Sequence, residues 1–173
     1  AAKAVNFGII YGQSAFGLAQ NLQISRTEAK QIIDAYFEQY PSIKSYMDKV
    51  IAQAREHGYV ETIMKRRRYL PDIHSANAVV RGYAERNAIN APIQGSAADI
   101  IKMAMVAVHE AMSKAKLQSK MILQVHDELV FDVHQHEVEQ MQKLVKEAME
   151  NAVQLTVPME VEMKLAANWL EAH

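Results

Sequence analysis

Three groups of residues have the types and spacing to do chemistry. Lys3, Phe7 and Tyr11 stand at i, i+4 and i+8, so on a helix all three project from one face. A cation, a flat apolar ring and a phenol in a row match the phosphate, base and sugar of a nucleoside triphosphate. The same trio also fits a plain amphipathic helix whose lysine lays its stem along the apolar face. Asp127-Glu128 follows His126 between two apolar, strand-prone runs. A carboxylate at such a tip is rigidly held and partly exposed, which suits oxygen-seeking Mg²⁺. Asp and Glu are also ordinary turn residues. His126 does not complete a zinc set, because nothing here has zinc-ligand spacing and neighbouring strand residues point to opposite faces. The third group is Arg81, Arg86, Asn90 and Gln94. Asn90 and Gln94 can donate hydrogen bonds to the acceptors that every base pair shows in the minor groove. Such a row would test base-pair geometry while ignoring sequence, although it equally suits a polar helix face with internal bonds. Lys65-Arg66-Arg67-Arg68 would clamp phosphates or form a solvated turn.

The elements that must position these residues are legible in outline. Residues 2–12 read as a helix ending near Gly12, with Gly8 a weak point inside it. Ser25-Arg26-Thr27-Glu28 is a capping box, and the stripe Ala29, Ile32, Ile33, Tyr36, Phe37 and Tyr40 follows at helical spacing. Pro41 ends that helix and opens the next, whose apolar face (Ile43, Met47, Val50, Ile51, Ala54) runs to a C-terminal cap at Gly58. Tyr59–Met64 and Arg67–Leu70 form a short hairpin with a basic turn. A long helical stretch begins near Ser75, breaks at Pro92 and resumes near Ser96, with Ile100, Ile101, Ala104, Val108, Ala111 and Met112 inward. Met121–Val125 and Leu129–Val133 make an antiparallel hairpin with the acidic residues at its tip. A helix spans about 137–152, with Val138, Met141, Val145 and Met149 inward. Strict alternation from Glu160 to Lys164 predicts a half-buried closing strand. Helices come first and strands cluster later, so the fold class is α+β rather than a wound parallel sheet.

Composition narrows the function classes. Half of the 173 residues are hydrophobic, enough for one sizeable domain or two small lobes. The longest apolar runs fall far short of the ~20 residues of a membrane span, so no membrane partner is expected. There is no cysteine, hence no disulfide framework and no thiolate metal site, in keeping with a cytoplasmic setting. Net charge is −1 overall, but residues 1–90 carry 12 Lys and Arg against 8 Asp and Glu, while residues 91–173 carry 7 against 12. That asymmetry suits a protein holding a polyanion on one side and cations on the other, or arises by chance among solvated faces. Ala1 lies inside a helix-like pattern with no capping residue before it, as expected of a piece of a longer chain.

Taken together and in this order, the motifs are specific. Lys3-Ala4-Val5-Asn6-Phe7-Gly8-Ile9-Ile10-Tyr11-Gly12 resembles the fingers-helix motif of family A DNA polymerases, those of the bacterial DNA polymerase I type. Gln124-Val125-His126-Asp127-Glu128 resembles that family's palm motif. The stretch Arg86 to Ala98, with Asn90, Pro92, Gln94 and Gly95, resembles its segment along the primer-template minor groove. The resemblance covers the whole chain. It implies a right-hand polymerase fold, with a helical fingers segment over residues 1–83 and part of an antiparallel-sheet palm over residues 84–173.

The resemblance also implies roles. Lys3 binds the triphosphate, Phe7 packs on the incoming nucleotide, and Tyr11 lies where the templating base enters. Arg81, Arg86, Asn90 and Gln94 contact the duplex, and His126 lies near the primer terminus. Asp127 is a ligand for catalytic Mg²⁺, two ions serving the complete enzyme, and Glu128 is an auxiliary carboxylate. The partners implied are primer-template DNA, deoxynucleoside triphosphates and the missing N-terminal part of the polymerase domain. Two residues of the family pattern fall ahead of Ala1: an Arg four residues before the Lys, and the other metal-binding Asp. The chain alone is therefore expected to be inactive, since two-metal transfer needs ions about 3.5–4 Å apart and Asp127 with Glu128 does not organise both. A sequence-independent duplex-binding module without catalysis is the alternative. A metal-dependent phosphohydrolase using His126, Asp127 and Glu128 is a further rival that lacks a second ligand cluster.

Overall fold

The computed structural model describes the backbone of residues 2–172 and the side chains of residues 5–172. Helix boundaries follow local chemistry. α1 (Ala2–Ile10) ends before Gly12, which takes φ +73°. α2 (Ala15–Leu22) opens on Ser14, whose hydroxyl accepts from Gly17 N at 3.2 Å. α3 (Arg26–Gln39) begins with the expected capping box, Glu28 N donating to Ser25 Oγ at 3.1 Å and Ser25 N to Glu28 Oε2 at 2.9 Å. The Ser25 hydroxyl, donating to Glu28 Oε2 at 2.8 Å, and then the Ser25 amide hold the Glu28 carboxyl below the ordinary glutamate range. α4 (Pro41–His57) starts on Pro41 and stops at Gly58, whose φ of +76° is left-handed and whose N–H bonds Ala54 O.

The first hairpin is shorter than its sequence pattern. β1 (Tyr59–Glu61) and β2 (Arg67–Tyr69) pair antiparallel over three residues, with Val60 opposite Arg68. A 3₁₀ turn at Pro71–His74 leads to α5 (Ala78–Lys114). The expected break at Pro92 does not occur: α5 runs 37 residues straight through it. Pro92 has no N–H to give Ala88 O, but Ala84 and Ala88 are buried against Val50, Ala54, Val60, Leu70 and Ile73, and that packing outweighs one lost helical bond.

The chain divides into two compact units, one ending at Ser96 and the other beginning at Ala97, so the boundary falls within α5. The first unit has two cores, the cluster just described and a second of Leu18, Ala19 and Ala29 with Ile32 and Ile33 against it. The second unit holds the end of α5, the hairpin β3 (Lys120–Val125) and β4 (Glu128–Asp132), and α6 (Val138–Glu150), with a short α7 (Trp169–Ala172). Its core is Val108, Met112, Met141 and Val145, with Met121, Phe131 and Met149 packed on it. Ile100 and Ile101, expected inward, are only half-buried.

The closing strand at Glu160–Lys164 is absent, and the chain there is irregular. A strand exists only where a neighbour takes its backbone bonds, and no strand among the described residues lies beside it. Val161 N bonds instead to Glu150 Oε1 at 3.0 Å.

Glu137 ties the β3 entrance to the start of α6. Its carboxylate accepts from Gln118 N at 2.8 Å, Ser119 N at 2.9 Å and Ser119 Oγ at 2.6 Å. These bonds, the Gln118 amide first, hold its carboxyl below the ordinary range. A lowered folded-state pKa gives stability that is present above the unfolded value and lost as pH falls through the folded one. Glu137→Gln, with one acceptor oxygen in place of two, should speed hydrogen exchange of the Gln118 and Ser119 amides at neutral pH. The gap from wild type should close as acid protonates Glu137. Equal exchange at neutral pH would show that the clasp is ornamental.

Candidate nucleic-acid interface

The Lys3 side chain lies outside the described residues. Phe7 and Tyr11 stand one turn apart on and just beyond α1, with ring centroids 5.9 Å apart and planes within 25°. Phe7 is 47% exposed and Tyr11 half-buried. Stacked rings on an open face present a flat apolar surface, as required for packing a nucleotide.

Gly12 matters more than its sequence context implies. A Cβ on it would lie 3.2 Å from Ile89 Cδ1 and 3.4 Å from Arg86 Cγ. The turn that carries Tyr11 therefore rests directly on the α5 turn that carries Arg86 and precedes Asn90. Two groups distant in sequence meet here, and the positive φ with tight contact is why a glycine serves.

Continuity of α5 also regularises the third group. Arg86, Asn90 and Gln94 lie on one unbroken helix, so each step of four drifts only about 40° around the axis. Arg86 and Gln94 are exposed and Asn90 is half-buried. Asn90 Oδ1 is buried with no hydrogen-bond partner among the described residues, a polar atom that is costly to leave unmatched. Arg81 is tied down, donating from Nη1 to Ser75 O at 2.8 Å with Glu85 Oε1 4.0 Å from its Nε.

The basic hairpin contributes unequally. Arg67 Nε meets Glu61 Oε1 at 3.1 Å, and its guanidinium lies 4.4 Å over the Tyr59 ring. Arg66 Nη2 donates to Gly95 O at 3.0 Å. Lys65 and Arg68 are exposed. Arg66, Arg67, Arg68 and Gln94 line one shallow recess together with Thr62 and Gly95.

The acidic hairpin belongs to the second unit. Val125 pairs with Glu128, so the turn is the two residues His126-Asp127, and Glu128 is the first residue of β4 rather than part of the tip. His126 has φ +54°. Two-residue hairpins favour positive φ in the turn, and His is among the non-glycine residues that enter that region most readily. Gln124 Nε2 donates to His126 O and braces the turn. Asp127 is exposed and makes no hydrogen bond or ion pair among the described residues. No group of three or more metal-binding side chains lies together among the described residues. Asp127 and Glu128 do supply adjacent hard oxygen donors, the chemistry Mg²⁺ takes.

Helices with small antiparallel hairpins define an α+β fold, and known proteins specify it further. The family model for DNA polymerase family A matches residues 1–171. The chain is 58% identical over 171 residues to DNA polymerase I of Streptococcus pneumoniae and 52% identical over 171 residues to DNA polymerase I of Geobacillus stearothermophilus, in each case over 99% of this chain and 20% of the relative. A solved structure, the POL domain of Pol1 from M. smegmatis in complex with DNA primer-template and dNTP, superposes with a TM-score of 0.89 at 51% identity. It covers 91% of this chain and 28% of that one. The chain belongs to DNA polymerase family A, and it spans about a fifth of the length of the curated relatives it matches.

The Gly12 contact yields a test. Gly12→Ala forces a side chain into a left-handed turn, at about 1–2 kcal/mol, and crowds Ile89 and Arg86. A clearly lowered melting temperature is expected, and an unchanged one would mean the α1–α5 contact is loose.

Proposed function

We propose that this chain is the fingers segment and part of the palm of a template-directed DNA polymerase that adds deoxynucleotides to a primer 3′ end. The observation that carries the reading is the seating of the Tyr11–Gly12 turn on Arg86 and Ile89, which supports one shared surface for the Phe7–Tyr11 rings and the Arg86, Asn90 and Gln94 row. Family membership and the complexed neighbour support it. The fingers span residues 1–83 and the palm residues 84–173, and the protein works in the cytoplasm, where its DNA lies.

In this reading Lys3 holds the triphosphate by a charge-assisted bond, Phe7 packs on the nucleotide, and Tyr11 occupies the entry of the templating base. Arg81, Arg86, Asn90 and Gln94 hold the primer-template duplex, reading its geometry through groove acceptors common to all base pairs. His126 sits near the primer end. Asp127 is the Mg²⁺ ligand and Glu128 the auxiliary carboxylate, a role that the bare Asp127 oxygens fit. Asp127 would help hold the divalent ions, which when bound would supply charge neutralisation for an in-line phosphoryl transfer. The remaining ligands belong to the rest of the polymerase domain, so these 173 residues do not extend a primer by themselves.

One experiment tests the core of this reading. Primer extension is measured with the whole protein, with its Asp127→Asn variant and with the 173-residue chain alone. The whole protein should extend, while Asp127→Asn loses extension by orders of magnitude, keeping primer-template affinity within a few-fold and its melting temperature unchanged. The chain alone should be silent. Binding without extension by the whole protein would favour the duplex-binding alternative, and near-normal turnover by Asp127→Asn would remove it as the ligand.

Phe7 gives an independent check. Its ring offers no hydrogen bond where an incoming nucleotide lacks a 3′-hydroxyl. A tyrosine there would place a phenol near that gap and restore roughly 0.5–1.5 kcal/mol. Phe7→Tyr should therefore relax discrimination against dideoxynucleotides in a competitive incorporation assay. An unchanged ratio with a lowered melting temperature would mark Phe7 as a packing residue instead.

A further inference from the structure

The joint between the basic hairpin and α5 is built more precisely than packing requires. Ile63 N donates to Ser96 Oγ at 2.9 Å, and Ser96 Oγ donates onward to Pro92 O. Arg66 Nη2 donates to Gly95 O at 3.0 Å, while Arg66 N donates to Thr62 Oγ1 at 3.2 Å. Thr62 and Ser96 are 7% and 9% exposed. Buried hydroxyls with their bonds made fix one register, because any slip leaves them unmatched.

Gly95 completes the joint. It sits inside a helix, where glycine is a poor former, and it has no positive φ to justify it. What it provides is closeness. A Cβ on Gly95 would lie 2.6 Å from Thr62 Cγ2 and 3.5 Å from Arg66 Nη2. No side chain fits there unless Thr62 or the hairpin that carries it shifts. The neighbouring residue is Gln94, which lines the same recess as Arg66, Arg67 and Arg68.

We propose that Thr62, Gly95 and Ser96 are positioning residues that seat the basic hairpin on the α5 turn carrying Gln94, so that hairpin cations and α5 donors meet primer-template as one preset surface. The inference rests on the polymerase reading. It assigns the three residues no contact with DNA; they act through the placement of their neighbours.

The test uses the whole protein with Gly95→Ala, Thr62→Ser and the two combined. Serine at position 62 keeps the hydroxyl that accepts from Arg66 N and removes the methyl that Gly95→Ala would strike. Primer-template affinity is measured over a salt series, alongside nucleotide KM and melting temperature. Gly95→Ala should bind about three- to ten-fold more weakly. Its salt dependence should be shallower by about one phosphate contact, a slope change near 0.9, with nucleotide KM unchanged. The combined variant should recover both affinity and slope. If Gly95→Ala does not fold, Ser96→Ala, which adds no atom, is expected to show the same weakening, and Ser96→Thr to restore it.

Wild-type affinity and slope in Gly95→Ala would overturn the proposal. So would a lowered melting temperature with an unchanged slope, or a combined variant that recovers nothing. A wild-type protein that neither binds nor extends primer-template would overturn the polymerase reading and this inference with it. If the wild type binds and extends normally, the polymerase reading stands whatever the variants do, and their behaviour bears on the joint alone.

Discussion

Pro92 has no amide hydrogen, and it stands in the middle of the longest helix of the chain. A proline inside a helix costs about 3 kcal/mol, because it removes one bond and presses on the preceding turn. α5 stays continuous because its residues on either side are committed elsewhere. Ala84 and Ala88 are sealed into the core with Val50, Ala54 and Ile73. Ser96, one turn later, donates its hydroxyl hydrogen to Pro92 O and accepts the Ile63 amide. The weakest point of the helix backbone is therefore where the neighbouring hairpin is fastened.

The placement of the candidate site follows from that continuity. An unbroken helix puts Arg86 and Gln94 about 12 Å apart along one slowly turning face. The same helix receives the Tyr11–Gly12 turn at Arg86 and Ile89. Had α5 broken at Pro92, Arg86 would have kept its place against Gly12, but Gln94 would have moved with a different segment. In the proposed role, the donors would then no longer follow a single groove. The proline that looks like an interruption in sequence is compatible with the alignment only because tertiary contacts hold both sides.

What the sequence discloses depends on how local the cause is. Ser25 with Glu28, Pro41 and Gly58 act within four residues, and all three behave as their chemistry predicts. The hairpin around His126-Asp127 is equally local, apart from the position of Glu128, which depends on a two-residue turn that His126 enters with a left-handed φ. Pro92 misleads because its rescue comes in part from residues some thirty positions away. Glu160–Lys164 has the alternation of a strand but needs a partner that its own pattern does not supply. Gly12 and Gly95 carry no signal of their own; their meaning lies in Ile89 and Thr62, which approach only in the fold. The chemical groups themselves are legible through order and resemblance, whereas their mutual support is not.

Charge counted in sequence differs from charge available at a surface. The first ninety residues hold an excess of Lys and Arg, and four of these cations are consecutive at the hairpin turn. Arg67 is engaged with Glu61 and the Tyr59 ring, Arg66 with Gly95 O, and Arg81 with Ser75 O and Glu85. The contact of Lys65 with Glu61 is 3.7 Å long, with the lysine 81% exposed, and such pairs are worth little. Lys65, Arg68 and Arg86 thus remain open to a polyanion, while Arg66 and Arg67 shape the surface those cations stand on. In the proposed role, the neutral donors of Asn90 and Gln94 would add directional bonds without adding counterion release. Such a surface would hold a duplex by geometry as much as by charge, which suits binding that ignores sequence.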